Sequence, residues 1–179
     1  QMCIRDRVEL ICVSGGKHMR GPQCSGILAG RKDLIEAARL NSSPHSDSLG
    51  RPMKVGREEI VGAWLACETY SKLDFEALDR ENLRQAEHIK SVLGKVPGLR
   101  IGFAPFDRTR KVRRVTVEWD EQALGVTAAE IEKHLMDGSP RIAVLRHQPQ
   151  GIVFTCFMND PGDEKIAAKR AAEVFTAKG

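Results

Sequence analysis

Val13-Ser14-Gly15-Gly16-Lys17-His18-Met19-Arg20-Gly21-Pro22-Gln23 lies between two apolar runs, residues 8–13 and 24–29. Each run reads as a buried strand, the first with one charge at Glu9. Between them the chain turns tightly at Ser14-Gly15-Gly16, presents Lys17, and bends again at Gly21-Pro22. Glycines tolerate positive φ and allow a ligand to approach the backbone closely. A lysine held on a turn between buried strands loses part of its hydration, and a less hydrated amine is the better nucleophile. The competing reading is a solvated lysine on an ordinary turn. A phosphate-binding P-loop is excluded, because Ile11 stands where its first glycine belongs and His18 follows the lysine. No Gly-x-Gly-x-x-Gly dinucleotide fingerprint is present.

Composition narrows the setting. Hydrophobic residues make up 41% and charged residues 29% of 179 positions, values of an ordinary globular chain with room for one domain or a domain and part of another. The net charge of +4, from 28 basic and 24 acidic residues, permits an anionic substrate and does not demand nucleic acid. Cys3, Cys12, Cys24, Cys67 and Cys156 are scattered, with no Cys-x-x-Cys and no Cys/His cluster, so no metal site is expected. Free thiols in apolar settings point to a reducing, cytoplasmic compartment. No apolar run reaches the ~20 residues of a membrane span, and the first residues lack the apolar stretch of a signal peptide.

Ser14-Gly15-Gly16-Lys17, with Gly21-Pro22-Gln23 and Gly26 behind it, resembles the cofactor-lysine segment of fold-type I pyridoxal phosphate (PLP) enzymes. The branch it resembles contains the bacterial selenocysteine synthases (L-seryl-tRNA selenium transferases) and the D-glucosaminate-6-phosphate ammonia-lyases. The likeness continues through Gly30-Arg31-Lys32 and Arg51-Pro52-Met53-Lys54-Val55-Gly56-Arg57-Glu58-Glu59, and more loosely beyond. It implies an α/β fold: the C-terminal part of a fold-type I, aspartate aminotransferase-like PLP-dependent transferase, followed by a small α+β C-terminal domain of antiparallel sheet and helices. It implies that Lys17 binds PLP as a Schiff base and that Ser14 reaches the cofactor phosphate. Selenocysteine synthases usually carry an acidic residue just before the lysine. Gly16 stands there instead, which favours the sugar-acid lyase branch.

The same resemblance implies a domain plan. Residues 1–7 fit poorly and are expected to be foreign. Residues 8–56 are expected to end the large PLP-binding domain, 57–95 to form linking helices, and 96–179 the small α+β domain. The ring-stacking residue and the aspartate that pairs with the cofactor nitrogen belong upstream of the lysine, so the chain is expected to be a C-terminal fragment, inactive alone.

Periodicity fills in the elements. Helices are predicted over 31–40 (Leu34, Ile35, Ala38 and Leu40 on one face), over 57–70 (Ile60, Val61, Trp64, Leu65 and Ala66 toward a core), and over 75–93 (Phe75, Leu78, Ala86, Ile89 and Leu93). Residues 41–56 form a long loop, functional or mobile. Strands are predicted over 99–104 and 112–119, the second with Val115, Val117 and Trp119 on one face. Thr127 and Glu130 make a capping box opening a helix to Met136. Strands over 141–146 and 152–158 are joined by a turn at 148–151. A last helix over 163–177, capped by Asp160 with Pro161 just inside, is given an inner stripe of Ile166, Ala167, Arg170, Ala171, Val174 and Phe175.

The resemblance also assigns chemistry. It implies that Lys17, once freed by substrate, takes the α-proton, leading to α,β-elimination from an amino sugar acid such as D-glucosaminate 6-phosphate. Arg51 and Lys54 match arginines implicated in binding an anionic leaving group. An arginine pair would capture an anion bidentately, whereas Lys54 supplies a point charge. His18 and His45 are proton-carrier candidates; His88, His134 and His147 read as surface residues. The run 108–114 is the densest positive patch and lacks an aromatic to stack on bases. The alternatives are a tRNA-dependent selenium transferase, another PLP-dependent transferase, and a non-catalytic oligomerisation module. The expected partners are a small anionic amino-acid or sugar-acid substrate and further copies of the chain, with tRNA less favoured and no membrane.

Overall fold

The computed structural model describes residues 8–105, 112–147 and 151–177. The chain divides into two compact units, one ending at Leu73 and the other starting at Asp74. The helix predicted over 75–93, expected among the linking helices, therefore falls in the second unit.

The first unit is built on a hairpin. β1 (Leu10–Ser14) pairs antiparallel with β2 (Gly26–Gly30), Leu10 opposite Gly30 and Ser14 opposite Gly26. α1 (Lys32–Leu40) follows, then the loop 41–56 and α2 (Arg57–Ser71). The loop is closed by a bridge between Ser42 and Gly50. The expected burial is largely missing. β1 and β2 are half-buried to exposed, and Cys12 and Cys24 are exposed. On α2 only Ala63 is buried, while Trp64 is 70% exposed and Ile60, Val61 and Leu65 are exposed beside it. Leu40 of α1 is also exposed, though Leu34, Ile35 and Ala38 of its predicted face are half-buried. A two-stranded ribbon with two helices has too few layers to cover these apolar faces.

The second unit holds the core. Its sheet has the order β3-β4-β6-β5, antiparallel throughout. The strands are β3 (Arg100–Phe103), β4 (Arg114–Glu118), β5 (Leu145–Arg146) and β6 (Ile152–Thr155). β4 is central, and its alternation puts Val115, Val117 and the adjoining Trp119 fully out of water. Thr116, on the opposite face, is nevertheless buried between its neighbours Gly102 and Val153. The helices are α3 (Phe75–Leu93), α4 (Glu121–Leu124), α5 (Ala128–Met136) and α6 (Asp163–Thr176). Ile89 and Leu93 of α3, Ile131 and Leu135 of α5, and Ala168, Ala171 and Phe175 of α6 join one cluster with the sheet. Trp119 meets Phe175 edge to face at 5.0 Å and donates its indole N–H to the Val126 carbonyl at 2.8 Å.

The capping box on α5 is present as Thr127 and Glu130. Three other expectations are corrected. The N-cap of α6 is Gly162 at φ 105°, not Asp160, whose amide instead donates to the Asp163 carboxylate. The buried stripe of α6 takes Glu164 and Ala168 in place of Ile166, which is exposed. Phe75 and Leu78, at the start of α3, are exposed too; the buried face begins at Gln85 and Ala86. The short helix α4, capped by Asp120, was not foreseen. The predicted turn at 148–150 lies outside the described residues, as do residues 1–7 and most of the basic run 108–114.

Candidate active site

The segment between β1 and β2 is a loop whose mouth is tied shut. The Gly15 amide donates to the Ser25 carbonyl at 2.9 Å, and the Gly21 amide donates to the Gly15 carbonyl at 2.9 Å. Gly15 is buried at the throat. Inside the loop the Arg20 amide closes a turn on the Lys17 carbonyl at 2.8 Å. Lys17 thus occupies the first corner of a backbone ring closed by two hydrogen bonds. Ser14, the last residue of β1, stands at the entrance, in register with Gly26.

Side chains brace this ring. The Gln23 amide donates to the Gly16 carbonyl at 2.9 Å, directly before Lys17. A Cβ on Gly16 would lie 2.7 Å from both the Gln23 Cα and Oε1, so only glycine fits beneath that side chain. The Ser25 hydroxyl donates to the Pro22 carbonyl at 2.6 Å. The bend also rests on α2: a Cβ on Gly62 would sit 2.6 Å from Cγ of Pro22. Neither Gln23 nor Gly62 was singled out for a role from sequence. The available signal was that Gln23 belongs to Gly21-Pro22-Gln23, part of the stretch that carries the resemblance.

The Lys17 side chain is exposed, and among the described residues its amine has no hydrogen-bond or ion-pair partner. The expected desolvation by flanking buried strands is absent, because the ribbon's own faces are open. Ser14 is exposed as well. Arg51 and Lys54 lie in the loop 41–56, both exposed, and Arg51 donates from Nη1 to the Pro44 carbonyl at 2.6 Å. His45 lies in the same loop, its carbonyl accepting from the Ser48 hydroxyl; His18 is exposed on the lysine ring. Among the described residues no group of three metal-ligating side chains converges, and no helix is long and apolar enough to cross a membrane.

In the second unit, Arg113 of the basic run is half-buried and forks onto Asp79 through contacts at 3.1 and 2.9 Å. The unit's one buried thiol, Cys156, is pushed up to about 11 by burial and by the Glu164 charge, which leaves it unreactive at neutral pH.

The fold, a hairpin unit with the lysine loop and a second unit of helix-covered antiparallel sheet, is that of the C-terminal part of fold-type I PLP-dependent enzymes. The solved structure of D-glucosaminate-6-phosphate ammonia-lyase has this fold: it superposes with a TM-score of 0.70 over 96% of this chain and 44% of its own, at 24% sequence identity. Among curated proteins, the chain is 34% identical over 134 residues to a Streptomyces 5'-C-glycyluridine monooxygenase-decarboxylase, covering 75% of this chain and 32% of that protein. It is 25% identical over 147 residues to the D-glucosaminate-6-phosphate ammonia lyase of Salmonella typhimurium, covering 82% of this chain and 37% of that protein. It is 29% identical over 108 residues to the L-seryl-tRNA(Sec) selenium transferase of Aquifex aeolicus. The chain thus spans about a third of the length of the first two relatives. No protein-family model matches it.

Proposed function

We propose that this chain supplies the cofactor lysine of a PLP-dependent enzyme acting at the α-carbon of an amino-acid-like substrate, and that the reaction is ammonia release from an amino sugar acid of the D-glucosaminate 6-phosphate kind. The observation that carries this reading is the placement of Lys17, an exposed and unengaged primary amine on a closed ring one turn beyond the Ser14 hydroxyl. That donor set would suit an aldehyde that also bears a phosphate: the Lys17 amine would hold the carbonyl carbon, with loss of water, and the Ser14 hydroxyl would donate to a phosphate oxygen.

When bound, PLP supplies the electron sink for a carbanion at the substrate's α-carbon. The chain's own residues do the rest. Nζ of Lys17 anchors the cofactor and, once released, takes the proton from that carbon as general base. The exposed guanidinium of Arg51 has five donors, of which the Pro44 carbonyl engages one, and Lys54 adds a second positive charge to the same loop. Together they suit a phosphate or carboxylate on the substrate.

The relatives' names support the substrate class. Glycyluridine, glucosaminate and seryl-tRNA each name a molecule with an amine beside a carboxyl or acyl carbon. Decarboxylation at that carbon is the second reading, favoured by the 34% identity to the monooxygenase-decarboxylase. Selenium transfer to tRNA is less supported, since Arg113 of the basic run is already committed to Asp79.

Purification of the complete protein with PLP tests the proposal. The wild type and Lys17→Ala differ in colour if it holds: the first absorbs as a lysine-bound cofactor, the second does not, and Lys32→Ala stays coloured. Equal colour in both variants contradicts it. Ammonia release from an amino sugar acid, against carbon dioxide release, then separates the two leading reactions.

A further inference from the structure

Of the side-chain braces on the ring, one bears directly on the peptide that carries Lys17. Gln23 reaches back across the loop and donates to the carbonyl of Gly16 at 2.9 Å. That carbonyl belongs to the peptide unit whose nitrogen is Lys17's own. Peptide units are planar, so fixing the Gly16 carbonyl fixes the direction in which the Lys17 Cα leaves the turn. The backbone closures at Gly15–Ser25 and Gly21–Gly15 hold the throat of the ring; they do not touch the Gly16–Lys17 unit. A lysine side chain has four rotatable bonds and a large conformational entropy to lose, so a nucleophile of this kind gains most from a fixed root. The contact is also built in from the other side. Gly16 leaves no Cβ in the way, and the Gln23 Cα and amide oxygen fill the space that one would take.

We infer that Gln23 is the positioning residue for Lys17: its amide sets the orientation of the Gly16–Lys17 peptide and so presents the Lys17 amine to an aldehyde cofactor. This rests on the reading of Lys17 as the cofactor lysine. Gln23 itself touches neither cofactor nor substrate in this account; it acts through the backbone.

Two near-isosteric variants isolate the donor. Gln23→Glu keeps the shape and replaces the N–H with an acceptor; Gln23→Met keeps the length and removes polarity. In the 179-residue chain, amide hydrogen exchange at Arg20 and Gly21 is expected to quicken by about five- to tenfold in both variants, the shift that losing one ordinary hydrogen bond produces, while β4 and α6 exchange as in the wild type. In the complete protein, borohydride fixation of pyridoxal phosphate on the Lys17 peptide is expected to slow by a similar factor in both. Unchanged exchange and unchanged fixation in the two variants would overturn the inference, as would slowing in Gln23→Glu alone, which would trace to the new charge. If the wild type itself fixes no cofactor at Lys17, the reading of the lysine fails. If the wild type fixes it and the variants fix it equally fast, only the role of Gln23 fails.

Discussion

The clearest electrostatic arrangement in the molecule joins Arg84 to two carboxylates. Its Nη2 donates to Glu81 at 2.6 Å and to Glu164 at 2.9 Å, and Glu164 is fully buried. The Arg84 hydrogen bond lowers Glu81 to about 2. Burial works to raise Glu164, but the Arg84 bond and the Gly162 amide outweigh it and leave the carboxyl below its ordinary range. Both groups bind protons less readily in the folded state than in the unfolded one. Their stabilisation is therefore complete above the ordinary carboxylate pKa of about 4.5 and is lost as pH falls toward 2. The thermal stability of the second unit should accordingly fall as pH drops through that window. Arg84→Met should lower stability at neutral pH, because it leaves the buried Glu164 carboxylate without its cation. It should also flatten the acid limb, because Glu164 without its partner gains from protonation. An acid limb as steep as the wild type's would show that other carboxylates set it. The link from Arg84 to Glu164 was not legible in sequence: the two lie 80 positions apart, and the stripe predicted for the last helix leaves Glu164 out.

At the scale of elements, Gly62 is the position where α2 and the lysine ring meet. Helix propensity alone favours Gly62→Ala by up to about 1 kcal/mol. The added methyl would lie 2.6 Å from the Pro22 ring, which cannot swing aside as a flexible side chain can. The clash should win: the variant is expected to lower the protection of Gly15, Arg20 and Gly21 amides while the helical signal holds or rises. Protection equal to the wild type would mean the bend does not bear on the helix. Elements whose pattern is internal to one segment were well read from sequence. The alternation of Val115, Val117 and Trp119, the Thr127–Glu130 capping box and the 75–93 helix all depend on residues close in the chain. Burial on α2 and on β1 and β2 was misjudged, because an apolar face records that something covers it, not that this stretch of chain does. The cap of α6 was misjudged because the helix starts at Gly162, at a positive φ that glycine accepts, and the Gly162 amide is met from inside the helix by the Glu164 carboxylate. Lys17 stood out through the turn chemistry around it and Ser14 through the resemblance; the Gln23 brace did not, since its partner is a backbone carbonyl that any sequence provides.

Across the whole molecule, apolar burial is uneven. The hydrophobic cluster draws all its members from residues 86–175, whereas the only buried hydrophobic residue before Asp74 is Ala63, among the described residues. Burial of apolar area is the main driving force for folding, so the two units should differ sharply in protection. Limited proteolysis of the 179-residue chain should cut within residues 41–73 first and leave a resistant piece beginning near Asp74; equal resistance of both units would contradict this. The exposed apolar residues of α2 make the first unit the place where further polypeptide would add most stability.

One covalent bond, between Lys17 and the cofactor, decides the proposed function. The complete protein, incubated with pyridoxal phosphate, reduced with borohydride and digested, should carry the pyridoxyl phosphate group on the peptide containing Lys17 and nowhere else at comparable yield. Label spread evenly over surface lysines, or concentrated on a lysine other than Lys17, would contradict it.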